Sequence, residues 1–234
     1  MDLFSQKIKR SELKEGDHIY TWRKQIYSHH GIFIGEGKLI HFVNSGIDDI
    51  LHFSGGSSGS VMKNKKTPCP VSYCGSEKVA GSGVRMSCID CFIIKGSLYR
   101  FKYEASHEFL VAKLRGGTCS TARSDSPEEV IHRATYLYEN GYVEYDLTNN
   151  NCEDFALYCK TGLWSNDKSN QGRSSQANMV HPTKEEDKIK NKIHRIATAI
   201  PRSCLKRENQ DLGVREDVEK VRVEDLSSFH LALK

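Results

Sequence analysis

Three stretches near the start of the chain carry apolar and β-branched residues in short runs bounded by turn residues. They are Asp17-His-Ile-Tyr-Thr-Trp22, His29-His-Gly-Ile-Phe-Ile34 and Lys38-Leu-Ile-His-Phe42. Each reads as a strand, and Gly35-Glu36-Gly37 between the last two reads as a hairpin turn. The strand pattern returns at Cys91-Phe-Ile-Ile94 and at residues 97–103, where Leu98, Arg100 and Lys102 alternate against Tyr99, Phe101 and Tyr103. The period then changes. Ser126 is a capping residue, Pro127 fits the first helical position, and Glu128 and Glu129 complement the helix dipole. Val130, Ala134, Leu137 and Tyr138 follow at helical spacing, so a helix is predicted over 127–139. A short strand is expected over Tyr142 to Tyr145. A second helix is expected to start at Cys152, capped by the asparagine run before it and closed by Gly162.

Between these elements the composition marks out regions. Residues 54–60, Ser-Gly-Gly-Ser-Ser-Gly-Ser, cannot bury side chains and lose much backbone entropy on ordering, so they read as a flexible loop. That loop opens an insertion, about residues 54–91, which carries Cys69, Cys74, Cys88 and Cys91. Beyond Trp164 the chain turns to Ser, Asn, Asp and Gln, which is linker chemistry over 164–182. The folded domain is therefore expected over 12–163 and a charged extension over 183–234. Within that extension, Thr183-Lys-Glu-Glu186 is a capping-box pattern, and Ile189, Ile193, Ile196, Ala197 and Ile200 form an apolar stripe ended by Pro201. The stripe suits either the protein's own domain or peripheral contact with an anionic membrane surface. No internal repeat is visible.

With 234 residues and 38% hydrophobic composition, the chain can fill the core of one large domain with appendages. Its 34 basic and 30 acidic residues leave a formal charge of +4, too mild to indicate nucleic acid as a partner. No apolar run approaches the roughly 18 to 20 residues of a membrane span, and Met1 to Arg10 lacks the apolar stretch of a secretory signal. A cytoplasmic protein is the expectation. In a reducing compartment the eight cysteines read as thiols, metal ligands or a nucleophile rather than as disulfides.

The candidate chemistry gathers at three positions. His29 and His41 are twelve residues apart across the predicted hairpin, an even separation that points both imidazoles to one face. Cys152 sits where the asparagine run becomes a helix, near unpaired N–H groups and the positive end of the dipole, both of which favour thiolate. A thiolate, a proton-exchanging imidazole and a group to orient it are the equipment of nucleophilic acyl transfer. Spacing alone also fits a plainer reading. Cys152, Phe155, Ala156 and Cys159 fall on one helix face, and cysteine is commonly buried in cores. A second cluster pairs Cys69-x4-Cys74 with Cys88-x2-Cys91 across thirteen residues. It suits either a four-thiolate structural zinc or four buried thiols. His18, His52, His107, His132, His181, His194 and His230 show no ligand spacing and read as surface or loop residues.

His29-His-Gly-Ile-Phe-Ile-Gly-Glu-Gly-Lys-Leu-Ile-His41, followed by Asn151-Cys-Glu-Asp-Phe155, resembles the lecithin:retinol acyltransferase-like family, most closely its plant NC-domain type. The resemblance covers roughly residues 12 to 163 and includes Glu15-Gly-Asp17-His-Ile-Tyr20. It implies an α+β fold of the permuted papain/NlpC-like kind, an antiparallel sheet with the nucleophile-bearing helix packed on it and the Cys-rich insertion at one side. It implies thiol-dependent acyl transfer or hydrolysis on a glycerophospholipid-type ester through a Cys acyl-thioester, with no cofactor needed for catalysis. A peptidase or amidase like the wider superfamily, or an inactive binding scaffold, are the alternatives. By the family pattern Cys152 is the nucleophile, His29 rather than His30 the base, and His41 the orienting residue. Tyr27 is a candidate oxyanion donor alongside the Cys152 N–H. The acyl donor is a lipid, and the acceptor is not encoded. Two departures stand out: Asp154 replaces a histidine common in animal members, and the charged residues 183–212 replace an apolar segment.

Overall fold

The computed structural model describes residues 5–23, 27–44, 69–75, 82–94, 96–112, 117–146, 150–165 and 211–226. The predicted early strands form as β2 (His18–Arg23), β3 (Tyr27–Phe33) and β4 (Lys38–Asn44). They join β1 (Gln6–Ile8), β5 (Ser82–Cys88) and β6 (Leu98–Arg100) in one antiparallel sheet of order β1-β6-β2-β3-β4-β5. β2 pairs with β3 from His18↔Ile32 to Arg23↔Tyr27, and β4 pairs with β5 from Lys38↔Cys88 to Asn44↔Ser82. Between β3 and β4 the ladder covers only Ile32↔Ile40 and Phe33↔Leu39.

Among the described residues four α-helices accompany the sheet: α1 (Ile89–Ile93), α2 (His107–Ala112), α3 (Pro127–Asn140) and α4 (Cys152–Thr161). The two long ones carry the expected punctuation. The Ser126 side chain accepts the N–H of Glu129, and Gly162 closes α4 in the left-handed conformation at φ 66°. Helices this short are marginal alone, so packing holds them. Phe155, Ala156 and Cys159 of α4 and Val130, Ala134 and Leu137 of α3 pack on Ile32, Ile40 and Phe42. Alternate residues of the same strands point the other way: Phe33 and Leu39 pack with Ile8, Ile19, Phe92, Ile93 and Leu98. Each fully buried apolar side chain contributes about 1.5–3 kcal/mol, so both faces of the sheet stabilise the fold. Arg133 ties the helices together, with Nη1 donating to the Cys159 carbonyl at 3.0 Å and Nη2 paired to Asp125 at 2.7 Å.

Several expectations are corrected. Cys91 to Ile94 is not a strand. The strand ends at Cys88, whose sulfur accepts the Cys91 N–H, and the unalternated apolar run continues as α1. Tyr142 to Tyr145 also forms no strand. Its tyrosines pack as a loop on Phe42, and only Asp146↔Asn150 makes a bridge. β6 is cut to three residues because Phe101, like Leu98, is buried, which breaks the alternation. The Cys-rich insertion is not wholly peripheral, since its residues 82–88 are a full strand of the main sheet. Nor is the charged extension wholly separate. β8 (Val218–Lys220) pairs with β7 (Leu163–Ser165), and Val221, Val223 and Leu226 enter the core around α4. Asp211 accepts hydrogen bonds from Thr121 N and Oγ1 at 2.9 and 2.6 Å. The Gly/Ser loop of 54–60, most of the linker and the amphipathic segment 183–200 lie outside the described residues.

Candidate active site

Asn151 organises the start of α4. Its Oδ1 accepts from Glu153 N at 2.9 Å, and its own N–H donates to Asp154 Oδ2 at 2.9 Å, a reciprocal capping box. Asp154 is thus a cap residue, and its departure from histidine leaves the helix end better satisfied. The Asn151 cap takes the N–H groups of Glu153 and Asp154, and Cys152 holds the first position of α4, at the positive end of the helix dipole. Cys152 is fully buried, and its Sγ lies 3.9 Å from the Ser28 carbonyl, the peptide that leads into His29. The body of α4 packs on the Ile32 and Ile40 side of the sheet, whereas His29 and His41 point to the other side, against Phe92. The helix and the histidines therefore do not meet across one face. The first residue of α4 reaches β3 at the stretch where β3 and β4 make no ladder pairs.

On the far side three polar groups form a chain. His29 Nε2 and His41 Nδ1 are 2.7 Å apart, and His41 Nε2 and Ser87 Oγ are 2.6 Å apart. Phe92 lies beside both imidazoles, with ring centroids 5.3 Å from His29 and 5.5 Å from His41. Gly31 makes room for this packing: a Cβ there would stand 3.1 Å from His41 Cβ and 3.1 Å from Phe92 Cε2. Burial first, then the nearby Arg23 guanidinium and His30, hold the His29 imidazolium well below the ordinary histidine range. A neutral His29 that donates from Nε2 to His41 presents Nδ1 as its basic lone pair. His41 then donates from its Nε2 to Ser87, so the chain has one direction.

His30, the neighbour on β3, belongs to a second network on the α4 side. Its Nε2 is 2.7 Å from Ser28 Oγ and 3.7 Å from Glu153 Oε2, and its Nδ1 is 2.8 Å from His18 Nε2. His18 Nδ1 is in turn 2.8 Å from the Tyr103 hydroxyl. Burial raises the Tyr103 hydroxyl well above its usual range, so it stays protonated and donates to His18. The Glu153 carboxylate favours an N–H at His30 Nε2. His18 corrects the sequence reading: it is buried, not a surface residue. His132 does lie at the surface, 2.8 Å from Glu224, and His52, His181, His194 and His230 are outside the described residues.

Of the other sequence candidates, Tyr27 is buried at the start of β3, on the same side as His29. Cys69, Cys74, Cys88 and Cys91 come together, with all four sulfurs within 4.8 Å of one another. Ser87, Glu153 and Ser28 escaped the sequence reading. Ser87 pairs with Leu39, two pairs along from the Arg85 that faces His41, a diagonal relation that only the β4–β5 register creates.

The domain is α+β, with a buried thiol at the start of a helix and two hydrogen-bonded, buried imidazoles on neighbouring strands. Residues 11–165 match the family model described as Lecithin retinol acyltransferase, and the chain belongs to that family. It is similar to Protein LEAD-SENSITIVE 1 of Arabidopsis thaliana, at 41% identity over 243 residues that span 97% of this chain and 91% of that protein. No helix among the described residues is long and apolar enough to cross a membrane.

Proposed function

We propose that the protein is a thiol-dependent acyltransferase or acyl hydrolase that takes an acyl chain from a glycerophospholipid-type ester onto Cys152. The observation that carries this reading is the directed chain Ser87, His41, His29 on the strand whose backbone touches the Cys152 sulfur. His29 Nδ1 takes the thiol proton, and the thiolate adds to the ester carbonyl. The tetrahedral oxyanion is held by the Cys152 N–H with Tyr27 as second donor. The C–O bond to the leaving alcohol then breaks, His29 returns the proton to that alcohol, and an acyl-thioester remains. Water or an acceptor alcohol, deprotonated by His29, attacks the thioester and regenerates the thiol. His41 keeps His29 in the tautomer this cycle needs and stabilises its transient charge. No cofactor takes part. The order of the chain, histidine strands before the cysteine helix, supports the permuted papain/NlpC-like arrangement. We place the reaction in the cytoplasm, at membranes met peripherally through the basic, isoleucine-striped residues 184–200.

Intact-mass measurement of wild type and Cys152→Ala after incubation with a phospholipid panel tests the reading. One acyl mass on wild type, absent from the variant, is expected. Cleavage of peptide or amide substrates with no acyl mass from any lipid would assign the site to amide chemistry instead.

A further inference from the structure

We infer that Cys69, Cys74, Cys88 and Cys91 form a structural zinc site that also sets the position of the catalytic relay. The second half of this inference rests on the acyl-transfer reading above. Four sulfurs from two separate segments, residues 69–75 and the junction of β5 with α1, lie within 4.8 Å of one another. Cys69 Sγ and Cys88 Sγ are 3.8 Å apart. Zinc bound tetrahedrally at about 2.3 Å from each sulfur requires sulfur-to-sulfur distances of about 3.8 Å. No disulfide joins any of them, and 3.8 Å is far beyond the roughly 2.05 Å of an S–S bond.

The surroundings suit thiolates. The Cys88 N–H points to Cys74 Sγ at 3.4 Å, and the Cys91 N–H points to Cys88 Sγ at 3.5 Å. Such amide donors to sulfur are the supporting contacts that orient ligands and disperse thiolate charge. The local backbone is already committed to the geometry. Cys74 N–H closes a turn onto the Val71 carbonyl at 3.0 Å, and Gly75 N–H binds the Met86 carbonyl of β5 at 2.8 Å. Four buried hydrophobic thiols would need neither the turn nor the converging N–H groups. All four positions are sulfur, so the site is closed to substrate and its role is structural.

Its neighbours give it a consequence. Ser87, which terminates the histidine chain, immediately precedes Cys88, and Phe92, which lies beside both imidazoles, immediately follows Cys91. Two ligands thus clamp the β5–α1 corner from which both relay contacts project. Bound zinc would hold Ser87 Oγ on His41 and Phe92 against His29. Metal loss would loosen the relay while leaving Cys152 and its capped helix intact.

The test uses the full chain purified without chelator or metal-affinity resin. About one zinc per chain is expected, and cobalt(II) exchanged into the protein should show tetrahedral ligand-field bands with sulfur-to-cobalt charge transfer. Cys69→Ser and Cys91→Ser, at the two half-buried positions, should each weaken metal retention and abolish the tetrathiolate spectrum. Less than a tenth of a zinc per chain, with no change in melting temperature on adding zinc, would overturn the site. Charge-transfer bands retained in both variants would overturn these ligands. For the relay, acyl-adduct formation on Cys152 should slow about tenfold or more in metal-depleted protein and recover on adding zinc. An unchanged rate would overturn the positioning role. Absence of any adduct in zinc-replete wild type would strike the acyl-transfer reading and leave the metal result standing.

Discussion

β3 carries two adjacent histidines that end in opposite networks, and their difference explains which one can do chemistry. His30 is satisfied at both ring nitrogens, by His18 and by Ser28, and its ring stacks on Tyr20 at 19° and 5.4 Å between centroids. His18 is likewise used at both nitrogens and stacks on Phe101 at 7° and 4.3 Å. That network begins at a hydroxyl, ends beside a carboxylate and has no position left for a substrate proton. His29 spends only Nε2 on its partner His41. Burial holds His29 on one face, and His18 and His30 on the other, below the ordinary histidine range, with His30 pushed down to about 3. Neutrality is therefore common to the two networks, and an available lone pair distinguishes the base. Closed networks rigidify a core; open ones move protons.

The sharpest way to break this comparison is to exchange the losses. His29→Ala should lower the rate of Cys152 acylation roughly 10²- to 10⁴-fold, the usual worth of a positioned base. His30→Phe should stay within about tenfold in rate but lose about 1–3 kcal/mol of stability, because His18 and Ser28 are left with unmade hydrogen bonds in the core. Acylation kinetics and urea midpoints on both proteins decide it, and a larger rate loss for His30→Phe would reverse the assignment.

A smaller effect sharpens the direction of the open chain. His41→Gln should cost less rate than His29→Ala, since an amide partly replaces the orienting hydrogen bond. Ser87→Ala should cost less again, within about tenfold, while removing the 2.6 Å hydrogen bond between His41 Nε2 and Ser87 Oγ, worth about 0.5–1.5 kcal/mol. The ranking of the three rate constants is the measurement. Ser87→Ala equal to wild type in both rate and melting temperature would remove Ser87 from the chain.

The pH dependence of stability is shared by both faces. His18, His29 and His30 have folded-state values below the ordinary 6.5. The unfolded chain therefore binds protons that the native state refuses. Their contribution is complete above about pH 6.5 and declines as pH falls below it, each by roughly 1 kcal/mol per pH unit until its folded value is reached, about 3 for His30. Urea midpoints between pH 7.5 and 4.5 should fall with acidification, and less steeply in His30→Phe. A rise on acidification would contradict neutral imidazoles on either face.

What was legible in the sequence follows the range of the interactions. The helix over 127–140 and the one from Cys152 announce themselves through Ser126, Pro127, Asn151 and Gly162, all local chemistry, and the hairpin that pairs His29 with His41 is equally local. Ser87 is 46 residues from His41, and Tyr103 is 85 from His18. Only strand register joins them, so no spacing rule could find them. Phe92 and its neighbours misled because a run of apolar residues without alternation does not distinguish a strand from a short buried helix. Asp154 looked like a departure, and the capping box shows it to be a local helix-start residue.

The return of residues 211–226 to the core has a bearing on the birth of the protein. Tyr158 of the nucleophile helix donates its hydroxyl to the carbonyl of Val221, 63 residues later in the chain. At a synthesis rate of about 5–20 residues per second, roughly 3 to 13 seconds separate the two on the ribosome. Through that interval α4 exists without Val221, Val223 and Leu226, and its face around Trp164 stays open to water and to chaperones. A chain released after Ser165 would hold every residue of the thiol site and remain in that unfinished state.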